Sequence, residues 1–397
     1  MSPISRGLAR AAPSSGRLSA ELTEIPLERL RRRRSAKWTR YAADVLPAFV
    51  AEMDFPLAPA VKHALARAVE LDDCGYASPS PDLAEAFAAF AASRLDWEVD
   101  PQQVSPAPDV VGAITELLRA IAKPGERIVI NPPVYHPFFA IIEALGCELA
   151  SAPLRGGELD VEAIERQFAA GAVALVLCSP HNPTGGLPGR EQLAAIAEAA
   201  VRHDAWVLAD EIHAPLTLPG EHHIPFLTVS AAARERGVAL CSASKAFNIA
   251  GLCCAQIITA SPNAAALVGS LPRGAKHCGH LGAIASIAAF RDGGAWLDDV
   301  IAVLDHNRGL LAQLLAARLP EVDYLPPRAG YLAWLDMREL ELGEDPAAAI
   351  LERGRLALSP GPTFGSEGAG FARLNFATTP ALVEEAVERI AVTVGRG

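Results

Sequence analysis

Val173–Cys178 is an uninterrupted apolar run about as long as one strand, and a run of this kind fits a parallel strand buried on both faces. It ends in Ser179-Pro180-His181-Asn182-Pro183-Thr184-Gly185-Gly186, a loop dense in turn-forming residues. Similar units stand on either side. A strand at Arg127–Ile130 leads into the loop Asn131-Pro132-Pro133-Val134-Tyr135, then a helix at Pro137–Leu145 and a strand at Cys147–Ala150. Downstream, a helix at Arg190–His203 precedes a strand at Trp206–Ala209 that ends in Asp210-Glu211-Ile212-His213. Strands at Val238–Cys241 and Cys254–Thr259 close the series. Strand–helix alternation predicts an α/β fold with a parallel sheet. Polar residues recur just past the strand C-termini, where open α/β sheets place their ligands.

The flanks are read from the same periodicities. Helical spacing runs over Ala58–Leu71 and is broken by Asp73-Cys74-Gly75-Tyr76. Helices are expected at Pro81–Leu95 and at Val110–Ile121, the second with Asp109 as its N-cap. Its free backbone N–H groups at Asp109-Val110 can hold an anion, provided the Asp109 carboxylate turns away to cap the helix. Phe49–Pro56 is too apolar for a free linker and is expected in a cleft wall. After about residue 290, a helix at Ala295–Arg318, strands at Tyr331–Asp336, Leu356–Leu358 and Phe371–Phe376, and helices at Pro346–Arg353 and Pro380–Val394 predict a smaller α+β domain. A chain of 397 residues has room for two domains. The expected division is a flexible extension over 1–27, a segment over 28–53 that packs with the small domain, a large domain over 54–290 and the small domain over 291–397.

Composition narrows the partners. With 35 basic against 46 acidic residues the net charge is −11, which argues against a nucleic-acid or anionic-membrane protein and leaves room for a local site for a small anion. The basic run Arg31-Arg32-Arg33-Arg34 reads as a solvated helix end. The seven cysteines are scattered, with no C-x-x-C or zinc spacing, so no metal is expected and a reduced compartment is. No apolar run reaches transmembrane length and no signal-peptide core is visible, so the expected location is the cytoplasm.

The chemistry gathers at Cys241-Ser242-Ala243-Ser244-Lys245. A lysine at a strand end among small residues can be held dry, with its pKa depressed, and can then form a Schiff base. Ser242 and Ser244 can donate to a phosphate. Each candidate also has a plain structural reading: Lys245 as a surface lysine, Asp210 as an N-cap, Asn182 as a turn former, Tyr76 as a core aromatic and Arg373 as an ion-pair partner.

Taken together and in order, the motifs Ala51-Glu52-Met53-Asp54-Phe55, Gly75-Tyr76, Ser179-Pro180-His181-Asn182-Pro183-Thr184-Gly185, Asp210-Glu211-Ile212-His213, Ser244-Lys245-Ala246-Phe247-Asn248-Ile249, Tyr331–Asp336 and Arg373-Leu374-Asn375 resemble the fold-type I pyridoxal-phosphate enzymes of the class I/II aminotransferase superfamily. Within it they resemble the MalY/PatB group of carbon–sulfur β-lyases, from about residue 28 to the C-terminus. The resemblance implies a mainly parallel seven-stranded sheet flanked by helices, a smaller α+β domain and a homodimer with shared sites. It implies Lys245 as the Schiff-base lysine and base for the substrate Cα proton, Asp210 as partner of the pyridine N–H, and Asn182 as donor to the ring oxygen and neighbour of the substrate. His213 either contacts that oxygen or packs nearby. Tyr135 is implied to stack on the ring and Tyr76 to reach the phosphate from the other subunit. Ser242, Ser244 and the backbone at Asp109-Val110 complete the phosphate cradle, and Arg373 pairs with the substrate α-carboxylate. The leaving group is expected near Lys37-Trp38, Met53-Asp54 and Tyr331. Two positions depart from the wider superfamily: Cys253 stands where many members have a phosphate-binding arginine, and Asp109 where serine or glycine is commoner.

The resemblance favours α,β-elimination from cystathionine or a related cysteine S-conjugate, because a thiolate, whose conjugate acid has a pKa of roughly 8.5, leaves readily. Transamination or another pyridoxal-phosphate reaction is the alternative. A non-catalytic binding or regulatory protein would have no chemical need to keep Lys245, Asp210, Asn182 and Arg373 together.

Overall fold

The run at Val173–Cys178 becomes the strand Ala172–Cys178, near the middle of a seven-stranded sheet. The computed structural model describes residues 18–78 and 80–396. Across the sheet the order is Val104–Ala107, Ala255–Ile258, Gly237–Cys241, Trp206–Asp210, Ala172–Cys178, Arg127–Ile130 and Glu148–Ser151. Neighbours run parallel except on the two sides of Ala255–Ile258, which is antiparallel to both its partners. Alternation along each strand feeds two cores. Leu175, Leu177, Val207 and Ala209 face one cluster, and Ala174, Val176, Leu208 and Leu240 face the other. Each fully buried Leu or Val contributes roughly 1.5–3 kcal/mol relative to an exposed one, so an apolar run in a central strand is stabilised from both sides.

The helix Val110–Ile121 shows how sequence becomes layer. Val110, Ala113, Ile114, Leu117 and Leu118 form its buried face, and Asp109 Oδ1 accepts the Gly112 N–H at 2.7 Å as an N-cap. Its positive end is therefore fixed at the sheet's C-terminal edge.

Three differences from the sequence reading have physical reasons. The strand Val104–Ala107 was not anticipated; it contains Pro106 and lies at the sheet edge, where a residue without N–H is tolerated. The expected helix over Pro346–Arg353 is split into Pro346–Ala349 and a wider turn over Ile350–Gly354. A Cβ on Gly354 would stand 2.4 Å from the Arg389 carbonyl oxygen, so the turn packs backbone-close onto the helix Pro380–Thr393. The helix His280–Asp292, packed against Pro59–Glu70 and Asp82–Arg94, was not anticipated.

The C-terminal part carries a four-stranded antiparallel sheet in the order Ser359–Pro360, Phe371–Asn375, Leu332–Asp336, Asp323–Tyr324. The long helix Gly294–Arg318 packs beside Pro380–Thr393. Leu46–Pro47 pairs in parallel with Leu356–Ala357. Of residues 1–27, those up to 17 lie outside the described residues; the remainder includes the helical turn Ala20–Thr23, whose Leu22 is buried in the core.

Candidate active site

The C-terminal ends of the parallel strands deliver the predicted loops to one cavity of about 160 Å³. Asp109, Val110, Tyr135, Asn182, Asp210, His213, Ser244 and Lys245 line it, as does Ala51 from the apolar segment expected in a cleft wall. A larger opening, about 870 Å³, lies between Arg29–Arg33 and Pro56–His63, but no comparable set of buried titratable groups converges there.

Asp210 ends its strand opposite Cys178 of the neighbouring strand. Its Oδ1 accepts the Ile212 N–H at 3.1 Å, and it is only 4 % exposed. Burial pushes its carboxyl up to about 6, against the pull of that N–H and of Lys245. Lys245 Nζ donates to the Ala51 carbonyl at 2.9 Å. Burial, then Arg373, bring its pKa down to about 8, while Asp210 and Glu52 oppose the drop. An amine and a carboxyl thus face one cavity with their proton affinities drawn toward one another, the pattern of an acid–base site.

Arg373 lies on Phe371–Asn375 across from Ser359 and Trp334. One terminal nitrogen donates to Asn182 Oδ1 at 2.9 Å, the other to the Phe49 carbonyl at 2.9 Å and Ser359 Oγ at 3.0 Å. Its Nε is buried without a partner, and burial brings the guanidinium down to about 10. Because Asn182 accepts from Arg373 through its oxygen, its amide N–H₂ remains available to the cavity. His213 is buried with Nδ1 unpartnered; burial and the charges of Lys245 and Arg373 hold it near 3, so the ring is neutral. Burial, then Asp210, raise the Tyr135 hydroxyl pKa.

At the other end of the cavity, Val110 and Val111 open the helix whose N-terminus Asp109 caps. Their N–H groups have no intrahelical acceptor, so they and the helix dipole can bind an anion. Ser244 Oγ stands beside them in the lining and shares a 2.7 Å hydrogen bond with Ser242 Oγ.

Not every predicted residue meets this cavity. Ser242 is turned inward: its hydroxyl donates to the Cys254 carbonyl at 2.7 Å and accepts the Ser244 N–H. Asp54 forms a buried ion pair with Lys37 at 2.9 Å and accepts Trp38 Nε1–H at 3.0 Å, so the residues expected near the leaving group are gathered together but do not line this cavity. Tyr331 is buried behind the lining, its hydroxyl donating to the Ala51 carbonyl at 3.1 Å. Tyr76 is 96 % exposed and touches nothing in this site. Cys253 is exposed, in a left-handed conformation with φ 53°, and does not line the cavity. Conversely, Ala51, Val111, Cys178, Ile212 and Ala250 line it without having been named as site residues. Cys178 and Ile212 sit at strand ends, a signal that could have found them; Ala51 offers only a main-chain carbonyl, which no side chain advertises.

The family model described as Aminotransferase class I and II matches residues 50–390. A provisionally named cystathionine beta-lyase of Mycobacterium tuberculosis is 44% identical over 398 residues, covering 93% of this chain and 97% of that protein. Cystathionine beta-lyase PatB of Bacillus subtilis is 33% identical, covering 90% of this chain and 95% of its own. Among solved structures, cystalysin from Treponema denticola, which contains a pyridoxal 5′-phosphate cofactor, superposes with a TM-score of 0.88 at 26% identity, over 94% of this chain and 98% of its own.

Proposed function

Since the chain belongs to the class I and II aminotransferase family, we propose that it is a pyridoxal 5′-phosphate-dependent carbon–sulfur β-lyase. It takes L-cystathionine or a related cysteine S-conjugate, with water, to a thiol, pyruvate and ammonia. The observation that carries this reading is the meeting of Lys245 and Asp210, an amine of lowered proton affinity and a buried carboxylate, in one cavity, with the Arg373 guanidinium joined to it through the lining residue Asn182.

The residues fit the cofactor. Asp210 would hold the proton of the pyridine nitrogen, Asn182 and His213 would face the ring oxygen, and Tyr135 would cover a ring face. The N–H groups of Val110 and Val111, with Ser244, would hold the phosphate, and Ser242 supports Ser244 from behind. When bound, pyridoxal phosphate supplies the electron sink that makes the substrate Cα proton acidic. Lys245 Nζ takes that proton; with its pKa near 8, a useful fraction is neutral at physiological pH and its conjugate acid remains a competent donor. Arg373, fixed by Asn182, Phe49 and Ser359, would pair with the α-carboxylate through its charge and its remaining N–H groups. The thiolate leaves because it is the most stable anion available at the β-carbon.

The protein is further proposed to act in the cytoplasm as a homodimer. Supporting this, Val69, Leu71 and Tyr76, close to one another in sequence, are all exposed, as apolar surface meant for a partner copy would be, and all seven cysteines are free. Among the described residues no helix is long and apolar enough to cross a membrane.

The test is to supply the pyridoxal-phosphate-loaded protein with L-cystathionine and measure free thiol and pyruvate together. Equal release of both is expected; keto-acid exchange without thiol would overturn the lyase reading. Lys245→Ala is expected to lose the borohydride-sensitive visible absorption of the loaded protein.

A further inference from the structure

From Ala48 to Phe55 each backbone carbonyl accepts a hydrogen bond from outside the segment. Ala48 is met by the Asn375 N–H, Phe49 by Arg373, Val50 by the Asn375 side chain, and Ala51 by Lys245 and Tyr331. Glu52 is met by Lys37 and Asn375, Met53 by Arg33 and Asn248, and Asp54 and Phe55 by Arg33. The segment is a strap, and the two groups central to the proposed chemistry hold it at carbonyls only two residues apart: Arg373 at Phe49 and Lys245 at Ala51.

Each of those groups has an asparagine close behind it in sequence that grips the same strap. Asn248, three residues after Lys245, accepts the Met53 N–H through Oδ1 and donates to the Met53 carbonyl through Nδ2, both at 2.8 Å. It does so from a left-handed conformation, φ 56°, which asparagine tolerates better than most side chains. Asn375, two residues after Arg373, donates to the Val50 and Glu52 carbonyls at 2.6 and 2.7 Å, while its Oδ1 accepts the Ala377 N–H. A side-chain amide is suited to this because it offers donor and acceptor together. Met53 is fully buried, so releasing its backbone groups would leave them without water.

We propose that Asn248 and Asn375 are positioning residues. Each ties its neighbouring site residue to the strap, so the strap acts as a gauge that fixes the Lys245 amine relative to the Arg373 guanidinium. The proposal rests on the reading that Lys245 takes the α-proton and Arg373 holds the carboxylate. Its consequence is a division of labour: Asn248 governs the proton-transfer step, Asn375 governs substrate binding. The strap carbonyl at Ala51 also favours the protonated form of Nζ, so loosening the Asn248 grip should lower the proton affinity at that nitrogen.

The test uses the loaded enzyme and two variants chosen for fold. Asn248→Gly keeps the left-handed backbone and removes the amide; Asn375→Ser shortens the second clamp. Misplacement by about 1 Å can cost as much as a hundredfold, so Asn248→Gly is expected to lower kcat about tenfold with KM within about twofold. It should also shift the pH midpoint of the cofactor's visible band downward. Asn375→Ser is expected to raise KM about tenfold, with kcat within about twofold and the midpoint unmoved. Wild-type kinetics and an unmoved midpoint in both variants would overturn the proposal, as would parallel changes in kcat and KM accompanied by lost cofactor. Should Asn248→Gly not fold, Asn248→Asp keeps the acceptor for Met53 N–H and loses the donor, and the same fall in kcat with KM held is expected, while its added carboxylate moves the midpoint upward. A wild-type enzyme that binds cofactor but releases no thiol sinks the lyase reading, while the band midpoint still judges the clamp.

Discussion

Asp210 is held in a state that serves chemistry at the expense of the fold. Its carboxyl is raised above its ordinary value by burial, so its favourable contribution is fully present below pH 4 and is lost as pH rises through about 6. In cofactor-free protein, Asp210→Asn is therefore expected to be more stable than wild type above pH 6, by on the order of 1–3 kcal/mol, with the difference closing toward pH 4. Denaturant titration of both proteins across that range checks it; equal midpoints at pH 7 would contradict the buried-charge account. The loaded variant should turn over at least about a hundredfold more slowly, because a neutral amide cannot hold the pyridine proton. Around this carboxylate, most candidate positions could be picked out by the motifs in which they stand. Lys245, Asn182, Tyr135 and Arg373 carry chemistry in their side chains and were legible in sequence. The inward turn of Ser242 and the capture of Asp54 by Lys37 and Trp38 were not, since both depend on neighbours distant in the chain.

At the scale of elements, the helix Val110–Ile121 joins packing to anion binding through one residue. Asp109 caps it, yet brings a negative charge to the cavity wall where the phosphate is proposed to lie. Asp109→Ser retains a good cap, so stability should stay within about 0.5 kcal/mol, while removal of the charge should tighten pyridoxal-phosphate binding about tenfold. Asp109→Ala should instead cost about 1 kcal/mol of stability. Thermal melts and cofactor titration by fluorescence separate the two effects. The central strands of the large sheet were legible because double-sided burial demands continuous apolar runs, as at Ala172–Cys178, whereas the edge strand Val104–Ala107 lacks one. The helix Val161–Ala169 was missed although Asp160 caps it and Ile164 and Phe168 mark its buried face; it is short enough to pass for a connection. His280–Asp292 gave less away. Flanked by two other helices, it is apolar over much of its circumference and has only Gly279 at its start, so neither moment nor cap signalled it.

For the whole molecule, the exposed Tyr76 is the informative residue. It is 96 % exposed and does not line the cavity of its own chain. In a homodimer with shared sites, mixing Tyr76→Phe and Lys245→Ala proteins should restore about a quarter of wild-type activity, since about half the dimers are mixed and each then has one intact site. Mass analysis that proves mixed dimers, with no activity regained, would place both residues in the same subunit's site. The arrangement of the strap from Ala48 to Phe55 bears on how the protein is made. The strap leaves the ribosome early, whereas Tyr331, Arg373 and Asn375 leave it late, and the contacts span from 280 positions, between Tyr331 and Ala51, to 325, between Asn375 and Val50. During synthesis the sheet, Lys245 and Asp210 are all available while the carbonyls of Phe49 and Val50 still lack their donors. The gauge can close only when the last strand docks, so a ribosome that stalls shortly before residue 373 yields a nascent chain that has its nucleophilic lysine but no means of holding an amino acid's carboxylate.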